Sequence, residues 1–169
     1  MAGSIAEFMS ADHRRLDALL RQATAVPPAI DRKAYAEFRT GLLRHIALEE
    51  KILIPAVRRA RGEPLDWARR LRHEHGAIAL LLVPSPDAAL ASEIRSILEP
   101  HNRLEEGPGG LYEICDALPD ADRDQLRQRM EAYPAVAVAP HNDGPGVHRT
   151  AAEALRISGR QSAVRDQGE

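Results

Sequence analysis

The pattern of histidines and carboxylates in this 169-residue chain occurs twice. Asp12-His13 opens a helical stretch and is followed by His45-Ile-Ala-Leu-Glu49-Glu50; Glu74-His75 opens another and is followed by His101-Asn-Arg-Leu-Glu105-Glu106. The flanks repeat as well, since Asp-His-Arg-Arg-Leu-Asp-Ala-Leu-Leu at 12–20 lines up with Glu-His-Gly-Ala-Ile-Ala-Leu-Leu-Leu at 74–82. Polar side chains on an apolar stripe are costly to bury singly. A chain that repeats such a set is therefore constrained to folds that bring the copies together.

Residues four apart on an α-helix differ by about 400° of rotation, so they project from one face a turn apart. His45 with Glu49, and His101 with Glu105, each present an imidazole and a carboxylate to one point. His13 and His75 each add an imidazole on an otherwise apolar stripe. The six converge only if four helices surround a common axis, as in the bundles that house paired metal ions. His13, His45, Glu49, His75, His101 and Glu105 are thus the expected metal ligands, with Glu49 and Glu105 as bridges that lower the repulsion between two cations. Mixed nitrogen and oxygen ligation favours iron or manganese over structural zinc.

Helical periodicity supports that architecture. Ser10 is a candidate N-cap for a first helix whose stripe is His13, Leu16, Leu20 and Ala23, ended by Pro27-Pro28. Asp31 caps a second, with Phe38, Leu42, His45, Glu49, Ile52 and Ala56 on one face and Gly62 and Pro64 at its end. A third is expected to begin near Pro64 and to carry Leu71, His75, Ile78 and Leu82 inward. Ser85 is a candidate cap for a fourth, with Leu90, Ile94, Ile97, His101 and Glu105 inward and a bend expected at Pro100. Gly107-Pro108-Gly109-Gly110 interrupts that run and is read as opening a local route to the metals.

Short helices at 111–118 and 120–133 are expected next, then an extended arm, one amphipathic turn at 151–155 and a mobile end over 158–169. The fold class is therefore all-α: an up-and-down four-helix bundle with short C-terminal helices and an extended tail. The division expected is a bundle with its appended helix over 1–133 and an arm and tail over 134–169.

Composition agrees and narrows the function. Apolar residues make up 44% of the chain but aromatics only 4%, so aliphatic side chains fill the core. A net charge of −2 with both signs interspersed offers no polybasic face for nucleic acid. No run of 18 apolar residues points to a membrane, and the lone Cys115 fits a reducing, cytoplasmic setting. The expected partner is a small molecule; nothing in the residues indicates a protein.

The four segments resemble the two His-His-Glu units of hemerythrin-like, or HHE cation-binding, domains, and the resemblance covers residues 5–118. It implies an oxo- or hydroxo-bridged pair of non-haem irons that binds oxygen, peroxide or nitric oxide for sensing, scavenging or storage. His13, His45, His75 and His101 become terminal ligands and Glu49 and Glu105 bridges. Oxygen-carrying hemerythrins have a fifth histidine four residues from another on the third helix; here His75 is flanked at that spacing by Leu71 and Ala79. That position is left empty, or filled by water or by a carboxylate such as Glu50 or Glu74. Two alternatives follow: a di-iron redox enzyme acting on peroxide or nitric oxide, and a regulatory module set by metal occupancy.

Other candidates read more plainly. Glu50 and Glu106, about 100° round the helix from their neighbours, are expected as supporting groups. His73 is expected at a surface or between helices, His141 and His148 in a polar loop, Tyr35 and Tyr112 in interhelix packing, and Cys115 as a small buried apolar group.

Overall fold

The computed structural model describes residues 3–63, 65 and 67–166. Among these the regular structure is helical throughout: α1 (Ile5–Ala23), α2 (Arg32–Leu48), a π turn (Glu49–Leu53), α3 (Ile54–Arg61), α4 (Ala68–Leu81), α5 (Ala88–Glu106), α6 (Leu111–Asp116), α7 (Asp120–Glu131) and α8 (Ala151–Asp166).

Four rods, α1, α2 with its continuation α3, α4 and α5, build the bundle, and the core shows how they run. One apolar cluster holds Ile5, Met9, Leu48, Leu53, Leu71 and Leu111; another holds Leu16, Leu20, Phe38, Leu42, Ile78 and Ile94. Each rod passes from one cluster to the other in alternating direction, which is the expected up-and-down order. Midway between the clusters each contributes a histidine: His13 between Met9 and Leu16, His45 between Leu42 and Leu48, His75 between Leu71 and Ile78, and His101 after Ile97. The core is thus two apolar plugs separated by a polar layer.

Several boundaries differ from expectation for local reasons. α1 starts at Ile5, and its cap is Ser4, six residues before the expected one, because Ser4 and Glu7 form a reciprocal capping box. Asp116 of α6 adds to it by accepting from the amides of Ile5 and Ala6 at 2.8 and 3.0 Å. Ser10 is simply interior. Asp31 caps α2 as expected, and Gly62 ends α3 in the left-handed region at φ 72°. Pro64, where the third helix was expected to begin, lies outside the described residues; α4 begins at Ala68. The cap of α5 is Asp87, not Ser85, whose amide and hydroxyl are both taken by Asp143. α5 continues through Pro100 to Glu106.

The second rod is not one uninterrupted α-helix. Over Glu49–Leu53 it widens into a π turn, with the Ile54 amide donating to the carbonyl of Glu49. Pro55 follows at once and has no amide to give, and the carbonyl of Lys51 that an α-helix would have paired with it instead faces Arg129 Nη2 at 3.5 Å. The extra residue in the turn rotates the later stripe, so Leu53, Ile54 and Val57 are buried along with Ile52 and Ala56.

The extended arm is present and is tied to the bundle by Arg39, which donates to the carbonyls of Leu82 and Ala139, and by the Asn142 amide, which donates to Val83. Beyond it the expectation of a single turn is overturned, as is that of a mobile end as far as residue 166; residues 167–169 lie outside the described residues. Residues 151–166 form the sixteen-residue helix α8, docked along α4. Small residues make the contact: Gly76 faces Ser158, whose hydroxyl donates to the carbonyl of His73 at 2.7 Å, and Gly159 faces the His73 ring. His73 Nε2 in turn donates to the carbonyl of Leu155, the interhelix role expected of it.

Candidate metal centre

The polar layer contains all six residues singled out in the sequence, each at most 6% exposed, with Glu49 and Glu105 fully buried. Their donor atoms form two quartets, His13, His45, Glu49 and Glu105 on one side and Glu49, His75, His101 and Glu105 on the other; within each quartet the atoms lie within 4.8 Å of one another. The two carboxylates belong to both. Glu49 turns Oε1 toward His45 Nε2 at 3.3 Å and Oε2 toward His75 Nε2 at 3.1 Å. Glu105 turns Oε2 toward His13 Nε2 at 3.4 Å and Oε1 toward His101 Nε2 at 3.1 Å. Both carboxylates thus divide their oxygens between two groups of donor atoms, each of which could hold a metal ion.

Every histidine is held from behind by a carboxylate. Nδ1 of His13 donates to Glu106 at 2.6 Å, His45 to Asp12 at 2.9 Å, His75 to Glu50 at 2.7 Å and His101 to Glu74 at 2.8 Å. A ring that spends its Nδ1 proton outward presents the Nε2 lone pair inward, and this arrangement typically supports metal-ligating imidazoles. The pattern obeys the twofold repeat of the sequence. Asp12 and Glu74 each serve the second histidine of their own half, whereas Glu50 and Glu106 each serve the first histidine of the other half. Glu50 and Glu74, named as candidates for the missing fifth position, are thereby committed to holding His75 and His101 from outside the cluster.

Protein groups alone leave this cluster unsatisfied. Glu49 Oε2 and Glu105 Oε1 are buried without a properly aligned hydrogen bond, and the Nε2 atoms of His75 and His101 face each other at 3.0 Å. Two unpaired carboxylate oxygens and two facing imidazole nitrogens are what a cation resolves, so the donor set fits one.

A family model described as the hemerythrin HHE cation binding domain matches residues 4–108, well over half of the chain. The protein belongs to the hemerythrin HHE family. No curated protein and no solved structure gives a match.

The hemerythrin match stops short of one residue that the structure brings into the centre. Tyr112 of α6 is fully buried, and its hydroxyl donates to Glu49 Oε1 at 2.6 Å while lying 3.2 Å from Glu105 Oε2 and from the Nε2 atoms of both His13 and His45. Of the four imidazoles it reaches only His13 and His45, so it breaks the twofold symmetry. Packing was the role expected of it. Its position follows from the Gly-rich segment, which closes the centre where it was expected to open it: Gly109 is left-handed at φ 72°, and a Cβ at Gly110 would strike the carbonyl oxygens of Leu104 and Glu105. The chain thus reverses tightly enough for α6 to lie against α1 and α5. The lone sequence signal is a tyrosine just beyond that reversal.

The charges of Glu49 and Glu105 are balanced by the imidazoles around them. Burial pushes both carboxyls up, and the Glu105 charge adds to this at Glu49, but the surrounding imidazoles outweigh these effects and hold Glu49 below, and Glu105 well below, the usual carboxylate range. Burial disfavours charge on His45, yet Glu49 and Asp12 push it up to about 10, and carboxylate contacts likewise raise His75 and His101. Burial beside Glu49 and Glu105 raises the Tyr112 phenol well above its ordinary value. Cys115 is buried as expected, its thiol pushed up to about 12 by burial and the nearby charges of Asp116 and Glu49.

Proposed function

We propose that the chain is a non-haem di-iron protein in which His13, His45, His75 and His101 are terminal ligands and Glu49 and Glu105 bridge the ions. It binds oxygen or a related small molecule, peroxide or nitric oxide, for sensing, scavenging or storage. The observation that carries this reading is the division of each bridging carboxylate, one oxygen to each quartet. Nitrogen and oxygen donors without thiolate suit iron, with manganese or zinc the lesser fits. Such a pair of ions supplies reversible electron transfer and positions at which a small molecule can bind. Four imidazoles and two bridges do not fill the coordination of two irons, and no fifth histidine lies four residues from His75.

The chain's own residues set the surroundings. The two apolar clusters exclude bulk water, the four outer carboxylates fix the rings, and Tyr112 places a hydroxyl proton beside the first quartet. No helix among the described residues is long and apolar enough to cross a membrane; with its single cysteine, we assign the protein to the cytoplasm. Elemental analysis of protein produced with iron should give close to two irons per chain, and azide should change its visible spectrum. A single zinc, or no metal, overturns the reading.

Tyr112 favours a second reading, a di-iron redox enzyme acting on peroxide or nitric oxide, because a phenol within hydrogen-bonding distance of the bridges is a local proton source. Steady consumption of peroxide by the iron-loaded protein supports it; release of oxygen unchanged on deoxygenation supports carriage.

A further inference from the structure

Beside the centre, α1 and α5 part to leave a cleft of about 240 Å3 with Phe38 and Leu42 of α2 at its floor and Leu16, Leu20 and Leu98 on its walls. At roughly 30 Å3 per water molecule this is the space of about eight waters, below the usual range for drug-sized pockets. The occupant it fits has about eight non-hydrogen atoms.

The polar groups in the cleft point to that occupant's charge. Arg95 of α5 lines it, and its Nε and Nη2 are shut off from solvent with no hydrogen-bond partner. The acids at the rim are engaged elsewhere: Asp17 is held by Arg21 at 2.8 Å, and Glu99 lies 3.7 Å from Arg103. Asn102, on the same wall, buries an unpartnered Oδ1. A guanidinium with unspent buried donors is costly, and a carboxylate matches its planar fork with two parallel charged hydrogen bonds. Leu16, Leu20, Phe38 and Leu42 are at most 3% exposed and Leu98 is half-buried, so the narrow space between them is walled by apolar side chains and suits a slender apolar chain better than a bare hydrated anion.

We propose that this cleft binds a small amphipathic carboxylate, its apolar chain laid on Leu16, Leu20, Phe38 and Leu42 and its head on Arg95. With its amide flipped, Asn102 offers NH2 to the second carboxylate oxygen. The cleft reaches the flank of His13, so the occupant lies against one wall of the metal centre while being held by groups outside it.

Calorimetric titration of the full chain with hexanoate tests this, with 1-hexanol as the tail alone and acetate as the head alone. Hexanoate should bind one to one, at least tenfold tighter than either. Arg95→Gln should weaken hexanoate tenfold or more and leave hexanol unchanged, with circular dichroism confirming the fold. Leu98→Glu, at a half-buried wall position, gives Arg95 a carboxylate three residues along the same helix and should abolish hexanoate binding. Hexanoate binding no tighter than acetate or hexanol, binding untouched by Arg95→Gln, or binding lost when a chelator strips the metals, overturns the proposal.

Discussion

The carboxylate of Asp12 accepts from Nδ1 of His45 on the neighbouring helix, 2.9 Å away, and not from His13 beside it in the chain. Arg15 holds the same carboxylate from the other side at 2.7 Å, so the acid is fixed before it fixes the ring. Asp12→Ala should leave helicity intact and weaken cation retention about 10- to 100-fold, the usual effect of losing such a support. Competition with a chelator measures it, and unchanged retention would remove Asp12 from the construction of the centre.

Glu49→Ala and Glu105→Ala each remove a carboxylate that belongs to both quartets. Either should reduce the metal content from two ions per chain to one or none. His73→Ala is the contrast, because its ring anchors α8 outside the centre. It should keep both ions while losing about 1 kcal/mol of stability to urea.

Tyr112→Phe deletes a hydroxyl that contacts all four members of the first quartet and neither imidazole of the second. Two ions should still bind, with the visible spectrum of the iron-loaded protein shifted and its peroxide consumption slowed. An unchanged spectrum would return Tyr112 to a packing role.

Gly110→Ala puts a methyl group against the carbonyls of Leu104 and Glu105. A loss of about 1–3 kcal/mol is expected, the usual cost of forcing an extra methyl group into a close-packed place. The variant should also resemble Tyr112→Phe spectroscopically, since α6 can no longer seat its tyrosine.

Asp87 caps α5 and reaches Arg149 of the arm, and the Leu90 amide, then Arg149, hold its carboxyl below the ordinary 3.8. A folded value below the unfolded one stabilises fully above 3.8 and is lost as pH falls through the folded value. Asp87→Ala should therefore cost about 1 kcal/mol at neutral pH, a typical cap loss. The gap between variant and parent should narrow below pH 3.8, as urea titrations at several pH values would show.

The six central residues were legible because two independent periodicities agreed: the four-residue spacing within a helix and the repeat between halves. The supporting acids were harder to place. Asp12, Glu50, Glu74 and Glu106 leave the apolar stripe sideways, and nothing along a single helix says which neighbour stands there. Tyr112 depended on a reversal at Gly110 that only tertiary contact fixes. The helix α8 escaped notice because Ser158, Gly159 and Ala154 dock by closeness and not by bulk, which leaves little periodic apolar signal. At the start of α1 two serines competed, and the choice turned on Glu7 and on the distant Asp116.

The crossed supports, Glu50 on His75 and Glu106 on His13, make the two halves of the chain interdependent. Neither segment of the duplication carries everything needed to steady its own leading imidazole. Cut between α3 and α4, the pieces would have to reassociate before either could grip an ion, so what reads as a doubled gene product works as one indivisible clamp.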